Sequence, residues 1–588
     1  MKRLTPSRVL MWLRKIVRND QLILSVLALV VGALGGAGVI LFREGMDLVR
    51  MVAYGDTNQP FHLYLKTLPW WWLLLMPALG GLAVGLFLDR VMPGGRPQGV
   101  ADVMEASALR GGRLSGRAGF GAAVASAASL GFGASVGREG PAVHLCATIG
   151  AWIAGRLHLT RSLSRTLVGC GAAAAVAGSF NAPIAGALFA NEVVVGHYAL
   201  SSFAPIVIAS VTGTVITRGY FGDFPSFQLF EHHITSVLEF PAFIGVGILC
   251  GLAAILLVRG TARVQGLMNH VPGPGWIRPG VAGLGVGFIA IWFPEVLGDG
   301  YSVTNATLHG FMPLTLMLVL VAAKMVATML SLGGGFAGGV FSPSLVIGAL
   351  LGGAVGNLAA WVLPEMASVT AAYSLVGMGA VAAATLGAPI STTLIVFELT
   401  GDYALTMAVM VAVVVASVLT QQILGHSFFT QQLELRGVDL HRGFEAALLR
   451  ANTVRKVMSG EAPVVAPETS LPSLRDQLQS TPIGELFVVG ADGRLLGTIT
   501  LADLSDAAFD HGVDDLVRAI DVARLHPPRL CLDDHLERAL NIMRDSHEEH
   551  IAVVADHKTE RFIGCVHERD VMAAYNRALV LARREEHQ

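Results

Sequence analysis

The segment ASVGREGPAVH, residues 134–144, sets Arg138, Glu139 and His144 inside a long apolar tract. Ionisable groups at membrane depth cost roughly 2.5–3.5 kcal/mol each on insertion scales, so such residues are functional by default. Gly137 and Gly140 flank the acid, and Pro141 follows. Proline suits the first turn of a helix, where its missing N–H is not needed, and glycine lets the incoming chain turn sharply. Gly-x-x-x-Pro therefore reads as a helix start. The first amides of a helix have no intrahelical partner, and the helix dipole adds partial positive charge there. Aimed into the protein, such amides make an anion site without a fixed cation, a compromise that lets an anion both enter and leave. A carboxylate tethered beside that site competes for it. Ionised, Glu139 blocks; protonated or displaced, it opens the path. The plainer alternative is a Glu139–Arg138 ion pair that only joins helices. His144 reads as a satisfied core histidine.

A second Gly-x-x-x-Pro, GVFSP at 339–343, occupies a corresponding place further on. APIAGALFANE (182–192) follows the first start and APISTTLIVFE (388–398) the second. Both have Ala-Pro-Ile, Leu at the seventh place and Glu at the eleventh. Two halves with breaks at matching positions point to a transporter built on structural repeats. This pattern leaves open whether the halves are inverted or parallel. Glu192 and Glu398 read equally as packed, hydrogen-bonded acids or as functional ones.

Those elements need a membrane around them. Hydrophobic residues make up 53% of the 588, charged ones only 14%, and mean hydropathy is +0.60; soluble domains are about a quarter charged. Bilayer-length apolar runs recur, such as QLILSVLALVVGALGGAGVILF and LTLMLVLVAAKMVATMLSL. Lys2, Arg3, Arg8, Arg14, Lys15 and Arg18 precede the first run, which keeps the amino terminus cytoplasmic, and charge returns after Arg436. The chain divides into a basic arm (1–20), a membrane body (21–436), a linker (437–451) and two soluble segments (452–511 and 512–588), with the carboxyl terminus also cytoplasmic. Most of the 68 glycines read as sites of close helix packing. The five cysteines, without pairing or metal spacing, read as small buried hydrophobes.

GREGPAVH, FNAPIAGALFANE, GGVFSPSL and GAPISTTLIVFELTG, in that order, resemble the signatures of the CLC chloride channel and transporter family. The similarity extends over about residues 21–436. It implies an all-α polytopic membrane fold of inverted repeats and broken helices. It further implies a homodimer with one anion pathway per subunit, chloride as ligand and no required cofactor. Glu139 is then the gating glutamate, the amides of Val340 and Phe341 bind the central anion, and Gly137, Arg138 and Gly140 belong to the same anion-binding region.

Three departures qualify this. The family's Gly-Ser-Gly-Ile-Pro, whose serine hydroxyl touches the anion, corresponds to PQGVAD (97–102), with Gln98 at the serine place and Ala101 at the proline place. The tyrosine that usually completes the site corresponds to Phe429. Both hydroxyls are missing, although a glutamine amide still donates. Third, the inner glutamate of proton-coupled members falls on Val193, beside Glu192. Valine carries no proton, which favours passive conduction over proton exchange.

The tail alternates short strands and helices twice and resembles a CBS-domain pair, which often binds adenine nucleotides. Its G-x-[IV]-[ST]-x-x-D element, with the Asp on the ribose, is kept as Gly497, Ile499, Thr500 and Asp503; in the second copy His567 replaces the hydroxyl residue and Asp570 remains. A ligand-free dimerisation module is the equal alternative. HEEH (547–550) lacks the i, i+4 zinc spacing and reads as a solvated helix end.

The expectation is a passive, glutamate-gated chloride channel in a bacterial inner membrane, with voltage gating left open by the sequence. The same-fold alternative is a proton-coupled anion antiporter, and the different-class alternative is a non-conducting sensor with CBS output. An intramembrane enzyme would need a nucleophile–base pair or metal set. No such set is evident, so neither enzyme chemistry nor a nucleic-acid partner is expected.

Overall fold

Asn181 and Gly387 take the same left-handed backbone conformation, with φ of 59° and 70°, at the ends of two buried helices, Arg161–Phe180 and Thr370–Leu386. Asparagine and glycine tolerate that conformation best. Two residues further on, Pro183 and Pro389 open the next helices, Pro183–Phe189 and Pro389–Thr400. The sequence repeat is therefore a repeat of helix–break–helix units.

These features come from a computed structural model describing residues 20–55, 60–196, 200–222, 227, 234, 237–362, 368–438, 449, 452–481, 483–504, 514, 516–556 and 559–587. The basic arm and most of the segment joining the two parts of the chain lie outside the described residues. Two compact units result, Met1–Leu440 and His441–Gln588.

In the first unit, nine helices among the described residues are long and apolar enough to cross a membrane. Small residues bring their axes together: a Cβ added to Gly348 would lie 2.3 Å from the Gly377 carbonyl oxygen. Ala172, Ala173, Ala174 and Ala175 are fully buried. Such packing replaces the hydrophobic drive that lipid cannot supply. After Phe189 the first Ala-Pro helix widens into a π-turn, Ala190–Val195, whereas its counterpart continues as a regular helix.

The second unit contains two sheets. In one, β1 (Val464–Val465) pairs parallel with β2 (Glu485–Val489), which pairs antiparallel with β3 (Leu495–Thr500), followed by β4 (Arg524–Leu525). In the other, β5 (Arg529–Cys531), β6 (His550–Val554) and β7 (Phe562–His567) repeat that order. Helices Leu471–Ser480 and Leu536–Ser546 make the parallel crossovers. HEEH is not a solvated helix end throughout: His547 caps a helix, but His550 begins β6 and is 6% exposed. Cys531 is half-buried, while the other four cysteines are buried.

Candidate anion site

The two Gly-x-x-x-Pro segments meet. Gly137 and Gly339 form an antiparallel bridge, each donating its N–H to the other's carbonyl oxygen, at 2.6 and 2.8 Å. A Cβ on Gly137 would lie 2.9 Å from the Ser342 nitrogen and 3.0 Å from Glu139 Oε2, so only glycine fits. Equivalent residues paired in opposite directions relate the two halves by a local two-fold axis. The repeats run antiparallel here. The bridge also corrects one expectation, because the Gly137 amide is bonded to Gly339 and positions the site without being free for an anion.

From the bridge, helices Glu139–Arg156 and Phe341–Val362 begin side by side. The carboxylate of Glu139, 1% exposed, crosses to the other helix. Oε2 accepts from the Ser342 backbone N–H at 3.2 Å, and the Ser342 hydroxyl lies 2.7 and 2.6 Å from the two oxygens. Oε1 also accepts from the Tyr301 hydroxyl at 2.9 Å. An ionised carboxylate only accepts, so every donor is directed at it. Arg138 Nε is 3.8 Å away, too long for a hydrogen bond, and its guanidinium lies 4.0 Å above the Tyr301 ring and 3.9 Å from Asp299. Arg138 thus braces the neighbourhood of the Glu139 carboxylate.

Val340 and Phe341 are 0% and 3% exposed, and no acceptor among the described residues takes their N–H groups. Phe180 and Phe189 pack on Phe341 with ring centroids 4.9 and 6.1 Å away. These amides form a dry donor pair beside the Glu139 carboxylate.

Two cavities adjoin this region. One of about 340 Å³ is lined by Gln98, Gly140, Gly339 and Phe429, with Arg96 and Arg436. The other, about 460 Å³, is lined by Arg43, Arg50, Arg138, Arg218, Asp299 and Tyr301. Gly140 borders the first and Arg138 the second. Gln98 precedes helix Val100–Leu109, whose first turn is capped by Asp102: its carboxylate accepts from the Gly99 N–H at 2.9 Å, Arg96 at 2.7 Å and Arg436 at 3.0 Å. Ala101 is buried in that first turn.

Glu192 and Glu398 are packed acids, each spent on the other repeat. Glu192 accepts from the amides of Ile390 and Ser391 at 3.1 and 2.9 Å and from the Ser391 hydroxyl. Glu398 accepts from the amides of Ile184 and Ala185 at 2.9 and 2.7 Å. Each caps the opposite Ala-Pro helix, where the dipole favours negative charge. Val193 is 7% exposed in the π-turn. His144 is fully buried with neither ring nitrogen hydrogen-bonded among the described residues, so it is not a satisfied core histidine.

Sequence reasoning missed four residues. Ser342 lies within the second Gly-x-x-x-Pro, whose pattern carries no signal for its hydroxyl. Tyr301, in GDGYS, carried no signal linking it to residue 139. Asp102, three residues after Gly99, follows the spacing of an N-terminal cap. Lys324 is 1% exposed and donates to the carbonyls of Val296 and Gly298 at 2.9 and 2.8 Å, fixing the turn that leads to Tyr301.

In the soluble unit, Asp503 Oδ2 accepts from the Thr500 N–H and hydroxyl at 2.8 and 2.7 Å and from Arg524 at 3.1 Å. The His567 ring packs tilted against that of His550, with centroids 4.3 Å apart, and Asp570 lies 3.8 Å from Arg569. Glu485, opposite Thr500 in the ladder, is 3.9 Å from His550. Burial, then the Glu548 carboxylate, pushes the Glu485 carboxyl up to about 7. Burial, then His567, lowers His550.

Fold and geometry together define a polytopic membrane protein of antiparallel repeats whose broken helices converge on a candidate anion site lined by backbone amides. The family model for voltage gated chloride channels matches residues 80–421, and that for CBS domains matches residues 454–510 and 517–577. A ClcB-like protein of Ralstonia nicotianae is 38% identical over 387 residues, 65% of this chain and 90% of its own. The voltage-gated ClC-type chloride channel ClcB of Salmonella typhimurium is 32% identical over 411 residues, 69% of this chain and 97% of its own. A slow cyanobacterial Cl⁻/H⁺ antiporter shares the fold, with TM-score 0.64 at 23% identity over 70% of this chain and 97% of that one. The chain belongs to the CLC chloride channel family, whose members transport chloride, and carries a pair of CBS domains.

Proposed function

We propose that this protein conducts chloride or a similar small anion passively, as a homodimer with one pathway per subunit, in a bacterial inner membrane, and that Glu139 is its gate. The observation that carries this reading is the Glu139 carboxylate bonded to Ser342 and Tyr301 beside the unbonded amides of Val340 and Phe341. A tethered anion there occupies donors that a diffusing anion needs. The valine at 193 supports passive conduction, since it carries no proton. Gln98 supplies a donor at the mouth of the smaller cavity, and Phe429 supplies none.

The basic amino terminus supports an orientation. Helix Asp20–Tyr54 starts on that side, and Arg43 and Arg50 near its far end line the larger cavity, which therefore opens outward. The smaller cavity, with Arg436, opens to the cytoplasm together with both termini. In the CBS pair, an adenine nucleotide would have to share Asp503 with Arg524; a ligand-free dimerising module needs no such exchange. The reading assigns no enzymatic step to either unit.

Proton exchange by another route is the second reading, favoured by the unbonded ring of His144, on which the charges of Asp102 and Arg96 act. The test is anion efflux from proteoliposomes with external pH recorded and no protonophore. Chloride efflux without proton uptake supports the channel. Proton uptake in fixed ratio to chloride replaces it with the antiporter, and absence of any anion flux favours the sensor.

A further inference from the structure

The Tyr301 phenol has no part in the repeat motifs, yet it reaches the proposed gate from a different element than Ser342. Its ring is held on both faces. Phe227 stacks on it at 5.0 Å and 7°, and the Arg138 guanidinium lies 4.0 Å from its centroid. Its place in the chain is fixed too: helix Tyr301–Leu308 follows the turn that Lys324 holds through Val296 and Gly298. A ring so confined has one direction for its hydroxyl. That direction ends on Glu139 Oε1, at 2.9 Å. Because Tyr301 also lines the larger cavity, the phenol lies between the gate and solution on that side.

We propose that Tyr301 is the positioning residue of the gate: its hydroxyl latches the ionised Glu139 carboxylate in the blocking position and so sets the external pH at which anions pass. The inference rests on the gating reading above. Protonation of Glu139 weakens the latch, because a neutral carboxyl is a poorer acceptor, and the acid is then free to leave Ser342 and Tyr301. The charged and titratable groups around the carboxylate are Arg138 on its own helix, Tyr301 and Asp299 from the turn opposite, Arg43 acting through Arg138 from helix Asp20–Tyr54, and Lys324 behind Asp299. Helix Phe341–Val362 contributes only the uncharged Ser342. The phenol is the one neutral side chain in this set that donates to the gate from the larger cavity, so it can be deleted without changing net charge.

Tyr301→Phe keeps the ring between Phe227 and Arg138 and removes only the hydroxyl. Chloride efflux from proteoliposomes, measured against external pH, tests it. The pH of half-maximal flux should move up by about one unit in this variant, the effect of losing one hydrogen bond to a charged acceptor. The second measurement is the double variant with Glu139→Gln. There the latch has no ionised partner, so the double variant and Glu139→Gln alone should give the same pH profile. An unshifted midpoint in Tyr301→Phe overturns the inference. So does an equal shift in the Glu139→Gln background, which would make the phenol merely structural. If Glu139→Gln alone keeps the wild-type pH dependence, the gating reading itself fails, and the latch with it.

Discussion

Ser342 holds Glu139 across the junction of the two repeats, with its hydroxyl 2.7 and 2.6 Å from the carboxylate oxygens and its N–H 3.2 Å from one of them. In the proposed gate, one repeat supplies the plug and the other the seat. The seat is the first turn of a helix, so its attraction for a carboxylate and for a free anion has the same origin, the unpaired amides and the helix dipole.

Ser342→Ala removes the seat's hydroxyl and leaves its amide. A hydrogen bond to a charged group contributes about 1.5–3 kcal/mol. The blocked state should lose that support, and chloride efflux near neutral pH should rise about tenfold per folded protein. An unchanged rate, measured in the same proteoliposomes, would mean that the hydroxyl does not hold the gate.

Gly137→Ala should be far more damaging than its size suggests. The new methyl would press on the Ser342 nitrogen at 2.9 Å, Glu139 Oε2 at 3.0 Å and the Gly339 carbonyl at 3.1 Å. Flux should fall at least about tenfold and thermal stability in detergent should drop, as expected for overpacking that costs about 1–3 kcal/mol. Gly155→Ala, on the same helix with open space around it, serves as the control and should be neutral or slightly stabilising.

Glu192 and Glu398 should act as caps. Replacing either by Ala should cost about 1–2 kcal/mol, seen as a lower unfolding midpoint, with transport per folded molecule retained within about twofold. A well-folded Glu192→Ala protein without flux would instead give that acid a role in transport.

The Glu485 carboxyl of the soluble unit makes stability depend on pH in a defined direction. Its folded-state value, about 7, lies above the ordinary 4.5, so its favourable contribution is complete below pH 4.5 and is lost as pH rises through 7. Glu485→Gln should therefore be more stable than the native protein at pH 8, by about 2–3 kcal/mol at most, with the difference shrinking toward pH 5. Hydrogen exchange at β2 in the full chain, compared between the two proteins at each pH, reads this directly. A difference that grows on acidification would reverse the assignment.

Much of the architecture was legible because its causes are local. The length of apolar runs, the Gly-x-x-x-Pro starts and the paired Ala-Pro elements depend on backbone conformations that neighbouring residues dictate. The matched left-handed ends at Asn181 and Gly387 show the same local logic in the structure. The reading of the soluble tail as strands and helices in duplicate also followed from short-range pattern. It failed at HEEH, where His550 turned inward, because a buried polar residue in a strand leaves the same signature as a solvated one.

The sequence by itself determined where helices begin, which of them repeat, and that an acid stands at one of the starts. Only the tertiary structure decided what that acid touches. Tyr301 and Ser342 lie 162 and 203 residues from Glu139, and the glutamates that cap the Ala-Pro helices reach partners 198 to 214 residues away. Those contacts exist because Gly137 and Gly339 pair antiparallel, which sets the two repeats head to head and brings each helix start against the other's side chains. Local propensity can open a helix, but hydrogen bonds between distant segments are chosen by the packing that brings their donors within reach.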